Sequence, residues 1–536
     1  MDGAPRTASV DRRALASGRG FAKSGGVSLS LLLVVVGAAV ACTVLVLVDL
    51  VGRLPRRAPI TASTGEGPFA FPPGFLWGTT TSDHQIERAQ PDDWLTFEHR
   101  ARAERRQERI RKGQMRPGHI ADIVDTPVEW IENKTDFDTH FADDLALAKA
   151  HGHGAFRLSI SWARLFPRAG MTDPDPAGIA FYERVFAALA KEGLQPSVTL
   201  FHFASPQWLW EGTDAAGRRG LERADAVDAF ACFTRAVVRH FGPQTKHWCT
   251  LNEPMVWAVL GYLEGAFPPF QRRPLPSQLT PVVEQLLRMH AVAYHAIKAG
   301  RPDAEVGIAH HVRHFVPWRN HSLLDRVTAM MVDRGFVLDF LDAIETGIFR
   351  PALGGGPVAI PGLAGTQDYV GINFYGRFYV KASAPGRFEI VPHDPAEPGE
   401  EESDVGWAID ETSLAPQLVR FARRYKKPLY ILENGIADAA DDDVARQRFL
   451  VRHVQGVWQA IAQGADVRGF FYWSLIDNFE WIEGFSPRFG LVKVDYADGA
   501  RRSPRPSLSV YADIARANAI PAALWDCFRR QPHPPR

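Results

Sequence analysis

Two short stretches put a carboxyl group where a buried strand would ordinarily carry none. In "KHWCTLNEP", residues 246–254, an apolar run ends on Glu253 followed by a proline; in "PLYILENG", residues 428–435, another ends on Glu433 followed by Asn434 and Gly435. Burying a carboxylate is costly unless something pairs with it or uses its charge, and proline stops a hydrogen-bonded ladder. Two carboxyls that converge on one acetal can cleave it, one protonating the departing oxygen while the other attacks the anomeric carbon or activates water. Their separation decides the outcome, about 5–5.5 Å for retention and about 6.5–9.5 Å for inversion, and the residues alone leave that choice open. Each stretch also has a plainer reading, since "NEP" and "ENG" are turn signals in their own right.

The elements that must position these groups follow from periodicity. β-branched and aromatic runs recur at 75–81, 155–160, 196–202, 247–253, 305–311, 368–376, 429–435 and 467–475. Between them lie patterns such as "THFADDLALAKAHG", "GIAFYERVFAALAKEG" and "DAVDAFACFTRAVVRHFG", apolar at three and four spacing with a glycine at the end. Eight strands alternating with helices predict an α/β fold, a parallel (β/α)8 TIM barrel over residues 70–520. An open doubly wound sheet is the competitor, but no Gly-rich phosphate loop follows the first strand. Barrel sites gather at the C-terminal strand ends, and polar residues crowd there: Gln85, Arg157, His202, Asn252 with Glu253, Asn373, Tyr375, Glu433 and Trp473. The ends of strands four and seven face one barrel mouth, so Glu253 and Glu433 can converge. Arg157 and Tyr375 can hold Glu433 as an anion; Arg157 is equally a structural ion-pair partner, His202 a core histidine and Trp473 a packing residue.

Composition narrows the partners. In 536 residues, 61 basic side chains balance 61 acidic ones, so no global charge favours nucleic acid. Cys42, Cys232, Cys249 and Cys527 show neither a disulfide framework nor metal-ligand spacing, and no metal or cofactor is expected. Val27–Val48 is uncharged and would span about 33 Å as a helix, a transmembrane segment or signal anchor. Residues 1–26 then form a basic cytoplasmic tail, 49–69 a linker and 521–536 a C-terminal tail. Arg6, Arg12, Arg13, Arg19 and Lys23 before the span outnumber Arg53, Arg56 and Arg57 after it, which keeps the N-terminus cytoplasmic and puts a single-pass protein's catalytic domain outside. A signal peptide cut after "GAAVA" is the rival, weakened because the apolar run continues through "TVLVLV". Oligomeric state is not legible. The basic stretch 99–116 reads as a solvated helix or a contact for anionic headgroups, and the acidic, proline-rich stretch 384–404 as a surface loop beside the site.

The ordered set "FLWGTTTSDHQIE", "FRLSISWARLFP", "TLFHF", "TLNEP", "GINFYG", "ILENG", "WSLIDNFEW" and "GFSPRFGLVKVDY" resembles glycoside hydrolase family 1, the β-glucosidase family, over residues of about 70 to 515. The resemblance implies a retaining exo-acting β-glycosidase with Glu253 as acid/base and Glu433 as nucleophile. It also implies a glycone held at Gln85, His202, Asn252, Trp473, Glu480 and Trp481, with Phe489 lining the pocket. Glu480, Pro487 and Phe489 depart from the pattern of members that take phosphorylated sugars, which points to a neutral β-linked hexoside. Phe203 stands where tryptophan is usual and His311 where asparagine is common. A transglycosylase using the same intermediate, or a silent carbohydrate-binding barrel, are the alternatives.

Overall fold

The computed structural model describes residues 52–100, 127–273 and 275–531. The expected span at 27–48, the basic tail before it and the stretch 101–116 lie outside the described residues. Among those described, no helix is long and apolar enough to cross a membrane. The chain divides into two units, Met1–Leu54 and Pro55–Arg536, and the second holds everything that follows.

Eight parallel strands close on themselves: β1 (Leu76–Thr80), β2 (Ala155–Ser159), β3 (Gln195–Phe201), β4 (His247–Asn252), β5 (Glu305–Pro317), β6 (Val370–Ala384), β7 (Leu429–Asn434) and β8 (Val467–Trp473). β8 pairs with β1, and β5 pairs with β6, so no edge remains in the ring. Each strand is followed by a helix that covers it: α1 (Phe137–Ala150), α2 (Pro176–Glu192), α3 (Ala226–Phe241), α4 (Thr280–Gly300), α5 (Leu323–Asp333), α6 (Leu414–Tyr425), α7 (Val444–Ala462) and α8 (Pro506–Ala517). The strands are buried on both faces, which is why they read as unbroken apolar runs. The helices start and stop where local chemistry dictates. Asp175 caps α2 by accepting from Ala177 and Gly178, Pro176 sits at its first position, and Gly193 ends it at φ 64°. The same C-terminal device was expected of Gly242, but its φ is −55° and the chain runs on into a 3₁₀ turn.

Three expectations are corrected. Part of 49–69 is no free linker. From Pro55 on, it lies against the barrel, where Arg377 donates to the Ala58 carbonyl (2.9 Å), Gln455 to Thr64 (3.3 Å) and Trp525 to Gly65 (3.0 Å), and Phe69–Ala70 pairs with Ala519–Ile520. Nor is 521–531 a loose tail, because Ala522–Phe528 is helical with Trp525 buried, and Arg530 pairs with Glu411 at 2.7 Å. Within 384–404, Arg387–Val391 is a strand that returns along β6. Pro385 and Gly386, with Gly386 at φ 73°, turn the chain there, and pairing with β6 satisfies backbone groups that a loop would leave to water. β5 and β6 themselves run past the barrel rim, paired as far as Pro317 and Val380.

Candidate active site

Glu253 owes its position to a sharp bend. It follows β4 in the left-handed region (φ 44°, ψ 54°) and precedes Pro254, which opens the short helix Pro254–Ala258. A non-glycine residue there is uncommon; the bend turns the carboxyl into the mouth instead of along the ladder. Glu433 instead stays in strand geometry, its carboxyl pointing inward from β7 in register with Asn373 of β6. The glycine after it is not the turn glycine of an Asn-Gly pair, since its φ is not positive. A Cβ at Gly435 would lie 1.9 Å from the Trp473 carbonyl oxygen, so close approach of β7 and β8 requires it. Asn434 is inside, donating to the Phe374 carbonyl at 2.6 Å.

One polar chain joins the two carboxyls. Arg157, fully buried, donates to Glu433 Oε1 at 2.7 Å and to Asn252 Oδ1 at 2.8 Å. Asn373 donates to that same Asn252 oxygen at 3.1 Å and to Glu253 Oε1 at 2.8 Å. Tyr375 closes the other side, its hydroxyl donating to Glu433 Oε2 at 2.9 Å. Because Asn252 Oδ1 accepts twice, its amide nitrogen is the group 3.0 Å from His202 Nε2. His202 must then carry its proton on Nδ1, which has no partner among the described residues. Gln85 is its complement. Its amide nitrogen donates to Asn478, Phe479 and Glu480, whereas its buried Oε1 is unmatched. An unmatched donor and an unmatched acceptor in one buried site suit the hydroxyls of a bound polar ligand. The indole of Trp473 hydrogen-bonds Glu480, His202 lies 5.8 Å from the Trp473 ring at 29°, and 6.1 Å from that of Trp481 at 22°. Phe489 packs with Tyr375 and Trp473. All twelve residues singled out in the sequence are thus joined by hydrogen bonds and ring contacts at one end of the barrel. Phe203 fills the wall edge-on to Trp481 at 5.2 Å, its carbonyl accepting from the Trp94 indole at 3.3 Å.

Sequence reasoning missed two groups here. The first begins at His311, whose Nδ1 is 2.8 Å from Glu253 Oε1 while its Nε2 accepts from Arg313 Nε at 2.9 Å. Arg313 is fully buried against Tyr375, Phe378 and Trp407, its guanidinium 4.2 Å above the Trp407 ring and hydrogen-bonded to the Tyr375 carbonyl. Burial brings its pKa down to about 9, against the pull of Glu253. Alternation along "HHVRH" puts residues 311 and 313 on one face of β5 and was the available signal. Arg313 fixes the His311 tautomer, and His311 then donates to Glu253. Substituting His311 with phenylalanine removes a donor that favours the ionised form, so Glu253 rises. The alkaline limb of kcat/KM is expected to move to higher pH, with kcat falling up to about 10²-fold from mispositioning. A pH–rate profile of His311→Phe with its limb unmoved would reduce His311 to a packing residue.

The second group lies beneath Trp481. His84 Nδ1 is 2.7 Å from Asp92 and Nε2 is 2.9 Å from Glu98, whose other oxygen accepts from Lys134 at 2.7 Å, all buried. Burial opposes charge on His84, but Asp92 and Glu98 outweigh it and lift its pKa to about 9; Lys134 and His84 overcome the same burial to hold Glu98 at about 2. The imidazolium stacks on Trp481 at 5.7 Å and 9°. Lys134→Met leaves this network one cation short and is expected to cost about 3–5 kcal/mol, read from urea unfolding.

The titration of Glu253 and Glu433 runs against the simplest picture of one fixed acid and one fixed anion. Burial raises Glu433 to about 7, with Arg157 opposing and the charge on Glu253 adding to the rise. Glu253 is lowered: burial pushes it up, but His311 and Asn373 outweigh that. Glu480 is lifted to about 8 by burial and by the charges of Glu433, Glu253 and Glu483. Glu433 and Glu480 repel one another and the Glu253 anion, which together with burial keeps protons on them near neutral pH. Arg157 is permanently charged and Tyr375 donates, so Glu433 has fixed partners for its anion once a ligand supplies hydroxyls to Glu480 and an acceptor oxygen to Glu253.

Comparison with known proteins places this geometry. The model of "Glycosyl hydrolase family 1" matches residues 68–351 and 359–520. The chain is 30% identical over 475 residues to Beta-glucosidase A of Thermotoga maritima, covering 84% of this chain and 98% of that one. It is 29% identical to a 6-phospho-beta-galactosidase of Lacticaseibacillus rhamnosus, covering 84% and 99%. Among solved structures, a beta-glycosidase from Pyrococcus horikoshii superposes with a TM-score of 0.72 at 34% identity, covering 86% and 98%.

Proposed function

The chain belongs to glycosyl hydrolase family 1, and from that premise we propose a retaining, exo-acting β-glycosidase that removes terminal non-reducing β-D-glucosyl or related residues by double displacement. The observation that carries it is the Asn373 amide, which donates to Glu253 and stands in register beside Glu433.

Glu433 attacks the anomeric carbon as the bond to the aglycone oxygen breaks, and Glu253 passes its proton to that oxygen. The product is a glycosyl ester on Glu433. Esterification removes the negative charge that had helped keep the proton on Glu253, so the same residue becomes the base for the second step. It takes a proton from water, whose oxygen attacks the anomeric carbon; the ester bond breaks and the Glu433 anion returns. Arg157 and Tyr375 receive that anion without reorganisation, which is where a buried, prepaired cation contributes most.

The glycone end follows from the unmatched groups. A sugar hydroxyl can donate to Gln85 Oε1 and accept from His202 Nδ1, a second pair can meet Glu480, and the Trp473 and Trp481 rings offer apolar platforms. Losing one such buried contact costs about 1–3 kcal/mol. Glu480 favours a neutral sugar over the phosphorylated one in the name of the L. rhamnosus relative, because a carboxyl, held by the Gln85 amide, offers a phosphate no cation to pair with. A panel of nitrophenyl β-glycosides with a 6-phosphogalactoside included tests this. Turnover of β-glucoside, β-galactoside or β-fucoside with β-configured first product is expected; preference for the phosphorylated substrate would overturn it.

Val27–Val48 is proposed as a single membrane span with the catalytic unit on the extracytoplasmic side. Its support is the uncharged run and the flanking charges. Arg57 bonds Asp394 at 2.6 Å and also pairs with Glu397. Its charge is compensated inside the fold, which sharpens the bias toward the N-terminal flank.

A further inference from the structure

We infer that the face formed by α5 and the β6 hairpin docks on a lipid bilayer carrying anionic headgroups. Among the described residues, seven large apolar side chains are exposed, and four of them lie here: Leu323 (52%), Val327 (36%), Met330 (39%) and Phe388 (39%). The first three recur at four and three spacing, so they form one stripe along the outside of α5, whose opposite face buries Asp325, Arg326, Ala329 and Val332. Phe388 is on the return strand of the hairpin and lines a shallow cavity with Arg319, Lys381 and Arg387. α5 and the hairpin are bolted together: Asp325 accepts from the Ala382 amide at 3.1 Å, and Arg319 donates to the Ala382 carbonyl at 2.9 Å.

Charge and chain path identify the occupant. Arg56, Lys381 and Arg387 are exposed around the stripe, against Glu389 as the exposed acid of the hairpin; Arg319 is exposed too, its charge paired with the buried Asp325. A basic rim around an apolar stripe is the pattern of an interfacial surface. The chain also enters here. Arg326 donates to the Pro55 carbonyl at 3.1 Å, the Arg57 amide donates to Asn320 Oδ1 at 2.7 Å, and Asn320 returns a bond to the Arg57 carbonyl at 3.1 Å. Val48, the last residue of the apolar run, is seven positions before Pro55, so it cannot lie more than about 25 Å from it. The inference rests on the membrane-span reading above. β5 and β6 reach this face by running past His311 and Asn373, so it stands at the catalytic end of the barrel.

The test uses the full chain with Cys42→Ala, Cys232→Ser and Cys527→Ser, carrying a bimane fluorophore at M330C, F388C or, for reference, Q463C at the far end of α7. It is reconstituted in phosphatidylcholine–phosphatidylglycerol vesicles with and without brominated phosphatidylcholine. Contact with the acyl boundary is expected to lower the M330C and F388C signals by about twofold and leave Q463C unchanged, with Lys381→Glu/Arg387→Glu reducing the effect. Labels quenched no more than Q463C in a chain that still floats with vesicles would overturn the docking face and leave the span intact. A chain that does not float would overturn both. Self-quenching at M330C that disappears on dilution with unlabelled chain, without bromine quenching, would assign the face to a second copy instead.

Discussion

Glu433→Ala is expected to lower kcat/KM on an aryl β-glucoside by about 10⁴-fold or more. The loss is large because the nucleophile and its fixed partners act as a unit. Arg157 at 2.7 Å and Tyr375 at 2.9 Å are arranged for a carboxylate that would no longer be there. Azide fits the vacated volume and carries its own negative charge. It is expected to restore cleavage of substrates with good leaving groups and to yield an α-configured glycosyl azide, because attack now comes directly from the face Glu433 had occupied. Parental activity in the variant would remove Glu433 from the mechanism; rescue giving the β-azide would move the nucleophile elsewhere.

Glu253→Gln separates the two chemical steps. A glycoside with a basic alcohol as leaving group needs the proton from Glu253, and its turnover is expected to fall about 10²–10⁴-fold. A dinitrophenyl glycoside needs no such proton, so formation of the glycosyl ester stays fast while its hydrolysis, which needs Glu253 as base, slows. The result is a pre-steady-state burst of nitrophenol followed by slow turnover. Equal losses on both substrates and no burst would mean that Glu253 serves substrate binding and not proton transfer. The His311 and Arg313 pair gives a further discriminator, because it touches Glu253 without touching Glu433.

The barrel and the convergence of its polar strand ends were legible for a shared physical reason. Parallel strands buried on both faces leave unbroken apolar runs, so any polar group at their ends stands out, and Glu253, Asn373 and Glu433 did. What lay beyond the reading came from three sources. The His311–Arg313 relay depends on which face of an overlong strand turns inward, and β5 continues to Pro317 where its apolar run had seemed to stop at 311. The bonds that pin 55–69 to the barrel come from partners hundreds of positions away, such as Arg377 to Ala58 and Trp525 to Gly65, which composition cannot foretell. The hairpin in 384–404 was hidden by its acidic, proline-rich content, although Pro385-Gly386 is itself a turn signal between two pairing strands. His84 reads as an ordinary helix residue until folding sets Asp92 and Glu98 against its two ring nitrogens, with Lys134 behind Glu98.

Mass spectrometry after incubation with a 2-deoxy-2-fluoro-β-glucoside bearing a dinitrophenyl leaving group bears most directly on the double displacement. The fluorine slows both steps and the leaving group restores only the first, so one glycosyl unit is expected to accumulate per chain, on the peptide containing Leu429–Asn434 and on the Glu433 carboxylate within it. An unmodified chain that nevertheless releases the phenol at a steady rate, or a label on any other residue, would contradict the account.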